Sequence, residues 1–210
     1  MYLDKFKLIF WDFDGVIKDS VKVKTNAYLN LFPNIQDDIK KKIKNHHLKF
    51  GGISRSKKIP IYLLWAGITV DEKNLLNYTK IFEQNIIQSV ISSSWIEGVI
   101  SALQRKQNRQ KFVLVTGTPQ SEIEVILSEL NIGFYFDFVF GFPAEKDLAI
   151  QSIISQFKYN LDDCLLIGDS ESDWLASRST GINFLLRTDG NDIFSESFKG
   201  KKIKNFFEIF

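Results

Sequence analysis

Two carboxylates two residues apart, Asp12 and Asp14, close the apolar run Leu8-Ile9-Phe10-Trp11. The run reads as a buried strand. Side chains at i and i+2 of a strand share a face, so the pair leaves the strand end side by side, with Gly15 breaking the strand just beyond. Two like charges held that close are costly unless a positive group binds beside them. A divalent cation and a phosphate would answer that cost. An ionised carboxylate can attack phosphorus and form an aspartyl-phosphate. A second carboxyl, if protonated, can donate to the leaving oxygen and then take a proton from the attacking water. The plain alternative for Asp14 is a turn-capping role, common in Asp-Gly pairs.

Three more strand ends carry reactive groups. Val113-Leu114-Val115 runs into Thr116-Gly117-Thr118-Pro119. Free backbone N–H groups, as at Gly117, together with a hydroxyl form an anion site at a helix start. Thr118 reads as the N-cap and Pro119 as the first helical residue, which leaves Thr116 as the phosphate ligand. Lys146, in Phe142-Pro143-Ala144-Glu145-Lys146-Asp147, follows a third strand and is the fixed cation such a site needs. Leu165-Leu166-Ile167 leads into Gly168-Asp169-Ser170-Glu171-Ser172-Asp173. Carboxylates here suit Mg²⁺, which takes one or two protein carboxylates plus phosphate oxygens. Ser170 and Asp173 also have capping-box spacing, so Asp173 would partly serve its helix.

The elements that must position these residues alternate. Strands are expected at Lys7–Phe13, Phe112–Thr116, Phe138–Phe140, Leu165–Ile167 and Asn183–Leu186, with helices near 97–108, 120–131, 145–158 and 171–180. That order predicts an α/β fold, a Rossmann-like parallel sheet of about five strands with helices on both faces. Ligands of such sheets bind beyond the carboxyl ends of the strands. Between the first two strands the pattern is helical only: Val21–Leu31, Asp37–Lys49, Lys57–Ala66 and Asp71–Ser89. So long an insertion is no simple crossover. Residues 20–94 are expected to form a helical cap domain inserted after the first strand, with 1–19 and 95–210 as the catalytic core. Asp19-Ser20 and Ser92-Ser93-Ser94 would be its hinges.

Composition narrows the partners. The 210 residues are 44% hydrophobic and carry 27 basic against 25 acidic side chains, a net charge of +2. That balance gives no reason to expect nucleic acid or a membrane surface. Lys40–Lys44 and Lys199–Lys204 read as solvated faces, as do His46 and His47 on the lysine-rich helix. Cys164, the single cysteine, lies in an apolar run and reads as a small buried residue. No signal peptide is apparent and no apolar run approaches the roughly 20 residues of a membrane helix. A soluble cytoplasmic protein, monomeric or weakly dimeric, is expected.

The four strand-end motifs, in this order, resemble the haloacid dehalogenase-like hydrolase superfamily over nearly the whole chain. Asp12-Phe13-Asp14-Gly15-Val16-Ile17-Lys18-Asp19-Ser20 is similar to its first motif, and Thr116, Lys146 and Gly168-Asp169-Ser170-x-x-Asp173 are similar to its second, third and fourth. The resemblance implies that Asp12 is the nucleophile and Asp14 the general acid/base. Thr116 and Lys146 would bind the transferring phosphoryl group. Asp12, the backbone carbonyl of Asp14, and Asp169 would hold Mg²⁺, with Asp173 in support. Dehalogenases proper lack the second Asp of the first motif, so Asp14 implies phosphoryl transfer. Gly51-Gly52-Ile53-Ser54-Arg55 resembles the Gly-x-Ser-Arg cap segment of β-phosphoglucomutase and related sugar-phosphate enzymes. Gly52, Ser54 and Arg55 would then reach the substrate, Arg55 through its fork of donors. Lys24 stands near the place where many phosphoglycolate phosphatases and β-phosphoglucomutases have a histidine. The expected activity is Mg²⁺-dependent hydrolysis of a small phosphorylated metabolite, a sugar phosphate. A phosphomutase is the alternative, and a catalytically dead binding module is a third reading.

Overall fold

The computed structural model describes residues 2–190 and 193–209. Six parallel strands form one sheet in the order β3-β2-β1-β4-β5-β6: β1 Leu8–Trp11, β2 Lys111–Pro119, β3 Phe138–Phe142, β4 Cys164–Gly168, β5 Asn183–Arg187 and β6 Lys202–Ile203. The sixth strand was not expected. It is two residues long and lies at an edge, in the lysine-rich run 199–204, whose composition hides it and also blunts the edge it makes.

The helices that cover the sheet are α5 Val99–Gln104, α6 Gln120–Glu129, α7 Lys146–Phe157 and α8 Glu171–Thr180, with a short α9 Ile193–Ser197 before β6. Burial on both faces explains why the strands read as unbroken apolar runs. Along β1, Ile9 and Trp11 join one apolar cluster with Val99 and Leu103 of α5 and Ile123 and Ile126 of α6. Leu8 and Phe10 join the other, with Ile150 and Ile153 of α7 and Ala176 of α8.

Register brings the motifs to one edge. Trp11 pairs with Leu114 on one side and Ile167 on the other. Asp12, Thr116 and Asp169 therefore all follow the same level of the sheet. Because β1 has β2 and β4 as its two neighbours, the crevice opens at this switch point.

Between β1 and α5 lie four helices and no strand of the sheet: α1 Val21–Asn30, α2 Asp37–Lys49, α3 Arg55–Trp65 and α4 Glu72–Ser92. Asp37 and Asp38 favour the first turn of α2 by opposing its dipole. Asp71 caps α4 by accepting from Asn74 N at 2.8 Å. The apolar faces of these helices continue one of the two sheet clusters, through Ile43, Ile59, Tyr62, Phe82 and Ile86. The two connections to the core run side by side: Asp19 N donates to Ser94 O at 2.8 Å and Ile96 N to Ile17 O at 3.0 Å. Lys18, buried, donates to Ile91 O and lies 4.2 Å from the Trp95 ring centroid. No helix among the described residues is long and apolar enough to cross a membrane.

Candidate active site

The floor of the site is built at the ends of β1, β2 and β4 and the start of α7. Asp12 follows β1, and its backbone N–H donates to Ile167 O at 2.9 Å. Lys146, the first residue of α7, reaches across to Asp12 Oδ1 at 2.5 Å and Asp173 Oδ1 at 2.5 Å. The other Asp173 oxygen accepts from Ser170 Oγ at 2.6 Å and Ser170 N at 3.2 Å, so the expected capping box is present. One carboxylate thus serves both the helix start and the lysine. Asp169 completes the cluster. Gly15, at φ +76°, makes room for it: a Cβ there would lie 2.1 Å from Asp169 Oδ2.

Oxygens of Asp12, Asp169 and Asp173 lie within 4.8 Å of one another. Burial pushes the Asp12 carboxyl up to about 7; Lys146 pulls against that, while the Asp173 and Asp14 charges add to it. Burial, then the charges of Asp12 and Asp173, holds Asp169 well above the usual carboxylate range. Lys146 is held above the ordinary lysine value, because its two carboxylates outweigh the effect of burial. One ammonium thus bridges two of three crowded carboxylates, and a second, hard cation would relieve them. The donor set, oxygens of Asp12, Asp169 and Asp173, could hold such a cation.

Asp14 faces another way. Its oxygens accept from Ser20 Oγ at 2.6 Å and Lys24 Nζ at 2.5 Å. Burial alone would raise this carboxyl, but the Lys24 charge and the hydrogen bonds from Lys24 and Ser20 outweigh it, and it is held low. The Lys24 and Ser20 contacts therefore favour the ionised form of Asp14. Thr118 joins this pair: its Oγ1 accepts from Lys24 Nζ at 2.9 Å. It does not cap a helix. Pro119 is the N-cap of α6, and a bulge between Val115 and Pro119 turns the Thr118 hydroxyl into the site. The Thr116 hydroxyl is buried and accepts from Thr118 N at 3.2 Å.

The roof is the loop between α2 and α3. Gly52 and Gly117 meet there: a Cβ on Gly117 would lie 2.5 Å from Gly52 O. This contact divides the crevice. One cavity holds Asp12, Asp14 and Asp169 with Lys24, Lys58 and Arg55. The other opening is lined by Thr116, Lys146, Ser54 and Lys57. Ser54 pairs with Ser56 Oγ at 2.9 Å and with nothing on the floor. Arg55, expected on the substrate, instead joins roof to floor through an ion pair with the buried Glu122 of α6, and lies 3.4 Å from Glu83. Exposed Lys57 and Glu145 make a second roof-to-floor pair at 2.7 Å.

Several residues of this cavity escaped the sequence. His47 is buried rather than solvated. Its Nδ1 lies 2.9 Å from Lys58 Nζ, and burial, then the Lys58 and Lys24 charges, keeps its pKa far below the usual histidine value. His46 is half-buried against Tyr62, Phe50 and Trp65. A signal for Lys58 existed: Arg55, Lys58 and Tyr62 are spaced i, i+3, i+7, which places all three on the buried face of α3. The sequence marks Lys24 only by its place, where many phosphoglycolate phosphatases and β-phosphoglucomutases have a histidine. Cys164 is buried as expected, its thiol pushed up to about 12 by that burial.

Residues 9–186 match the sequence profile of the family described as haloacid dehalogenase-like hydrolase. The chain is 28% identical over 99 residues to phosphoglycolate phosphatase 1 of Pseudomonas aeruginosa, a match spanning 44% of this chain and 36% of that protein. The chain thus aligns with about a third of that curated relative. Among solved structures, a predicted phosphoglycolate phosphatase from Haemophilus somnus 129PT superposes with a TM-score of 0.77 at 19% identity, covering 98% of this chain and 96% of that one. A HAD-superfamily hydrolase of subfamily IA from Geobacter sulfurreducens PCA gives 0.65 at 14% identity, covering 96% and 93%. A Thermotoga maritima protein assigned by inference as a β-phosphoglucomutase gives 0.68 at 21%, covering 94% of each chain. At such identities these structures share the fold alone.

Proposed function

The chain belongs to the haloacid dehalogenase-like hydrolase family, and on that premise we propose that it is a Mg²⁺-dependent phosphatase of a small phosphorylated metabolite. The observation that carries the reading is the buried Asp12–Lys146–Asp173 bridge with Asp169 beside it. It pairs a nucleophilic carboxylate with a fixed cation at the end of the central strand. Asp12 attacks phosphorus, the phosphorus–ester oxygen bond breaks, and an aspartyl-phosphate forms on Asp12. Lys146 neutralises charge on the phosphoryl oxygens, with the Thr116 hydroxyl and the Gly117 N–H as donors. Asp12 and Asp169, with the Asp14 backbone carbonyl, would hold Mg²⁺, which supplies further charge neutralisation at the phosphoryl oxygens. Asp173 stays on Lys146 and the capping box.

The proton steps fall to Asp14 and Lys24. The proton held across their 2.5 Å contact is the one available to the leaving oxygen. Ionised Asp14 then takes a proton from the water that hydrolyses the aspartyl-phosphate. Residues 20–94 act as the cap: the Gly52–Gly117 contact and the Arg55–Glu122 pair close it over the floor and exclude water. A sugar phosphate is the first substrate class to assay. A phosphomutase is the second reading, and the Arg55–Glu122 ion pair, which occupies one arm of the guanidinium, speaks against it.

Purified protein should release phosphate from p-nitrophenyl phosphate in Mg²⁺ and lose that activity in EDTA. Asp12→Asn should reduce turnover by about 10³-fold or more. Turnover that survives this substitution would sink the assignment.

A further inference from the structure

Lys18 is a buried lysine that the chemistry of the floor does not use. It is 2% exposed, and no carboxylate pairs with it among the described residues. Its side chain crosses from one cap connection to the other. Nζ donates to Ile91 O at 3.0 Å, in the last turn of α4, and stands 4.2 Å from the Trp95 ring centroid. The last carbonyls of a helix have no intrahelical partner, and the helix dipole makes that end negative. An ammonium there caps α4, and the Trp95 face adds a second attraction. Burial pulls the Lys18 amine below its ordinary value, so these neutral contacts are what hold the charge in place.

The backbone of the same residue closes the turn that carries Asp14. Lys18 O accepts from Gly15 N at 2.7 Å. The Ser20 hydroxyl, which donates to Asp14 Oδ1 at 2.6 Å, also lies 3.3 Å from Lys18 O. Across the other connection, Lys18 pairs with Trp95 in an isolated antiparallel bridge. One residue thus joins the end of α4, the Trp95 connection and the Asp14 turn.

We infer that Lys18 is a positioning residue, which sets Asp14 against the leaving oxygen by tying the Asp14 turn to the end of α4. The inference rests on the phosphatase reading for the role of Asp14, and adds to it a link between the cap and the acid/base. Asp14 is aligned when α4 is seated. Loss of the ammonium uncouples the two. The floor keeps its arrangement, because the pairs that Lys146 makes with Asp12 and Asp173 do not include Lys18.

The test uses the leaving group. The step that forms the aspartyl-phosphate and expels the alcohol governs kcat/KM. p-Nitrophenolate leaves without a proton, whereas the alkoxide of glycerol 2-phosphate must take one. Lys18→Met keeps the buried stem and removes the donor. It should lower kcat/KM for glycerol 2-phosphate by at least about tenfold and for p-nitrophenyl phosphate by less than about threefold. Lys18→Arg, which can still donate to Ile91 O and stack on Trp95, should recover most of the loss. An unchanged ratio between the two esters, whether both rates fall or neither does, overturns the inference. Amide hydrogen exchange reads the same link without substrate. In Lys18→Met, exchange at Gly15 N should quicken by at least about tenfold, while Val113 in β2 stays within about twofold. Gly15 exchange that does not change overturns the inference, and so does an equal rise at both amides, which marks a merely structural lysine. If wild type hydrolyses neither ester, the phosphatase reading fails, and exchange at Gly15 decides whether Lys18 holds the Asp14 turn.

Discussion

The floor and the roof of the cavity solve opposite electrostatic problems. On the floor, negative charge is in excess. Three carboxylates crowd around Lys146, which pairs with Asp12 and Asp173, and two of the three are held above their ordinary range, Asp12 and Asp169. On the roof, positive charge is in excess. Lys58 is buried on neutral acceptors and pulled below its ordinary range. The excess on the floor suits a cation and a phosphoryl group, and the excess on the roof is of the opposite sign. The residues that pair off within the protein, Arg55 with Glu122 and Lys57 with Glu145, are the ones that hold the halves together. Charge that is paired across the crevice marks the latch.

The largest effect expected from breaking this contrast is on the floor. Lys146→Met would leave Asp12 and Asp173 without their ammonium. Removing one partner of a buried pair costs about 3–5 kcal/mol. Thermal melts should show that loss, and phosphate release should fall by about 10³-fold. A melt unchanged from wild type would mean the floor is not an uncompensated acidic cluster.

Next comes the seam. Gly117→Ala puts a Cβ against the Gly52 carbonyl, which is backbone and cannot swing aside. The roof should be held off the floor, and kcat/KM should fall by about 10²-fold, with little change in Tm. An alanine variant as active as wild type would show that the roof need not close this far for turnover.

The smallest effect has the opposite sign. In the ligand-free protein Lys58→Met should raise Tm, because it removes a buried charge. Replacing buried ions by apolar groups gains about 1–4 kcal/mol, and each kcal/mol moves Tm by roughly 2–4 °C in a chain of this size. The lysine amine sits below its unfolded value, so its cost is greatest below about 7, where it is buried charged. The gain should shrink as the pH rises toward the ordinary lysine value. Melts at pH 6 and pH 9 check both sign and trend.

Much of the floor was legible because its logic is local. Asp12 and Asp14 lie at i and i+2 of a strand end, Ser170 and Asp173 at capping-box spacing, and β1, β2 and β4 are apolar runs of the length that a buried parallel sheet needs. Such spacings fix geometry without reference to the rest of the chain. The ends of α2, expected at Asp37–Lys49 and found there, were set by the same kind of signal. β6 escaped because two residues in a lysine run carry no period, and only pairing with β5 makes them a strand.

By itself, then, the sequence determined the α/β alternation, the helical insertion and the set of carboxylates that meet at the strand ends. Tertiary structure decided the charge state and the partners. The Asp14 carboxyl is held low because α1 carries Lys24 onto it. Arg55 is spent on Glu122, 67 residues away in sequence, and His47 and Lys58 meet inside the cap, where a lysine-rich helix seemed to promise only solvent. The physical reason is range: backbone preferences act over a few residues, whereas burial and Coulomb interactions act between whichever groups the fold brings together.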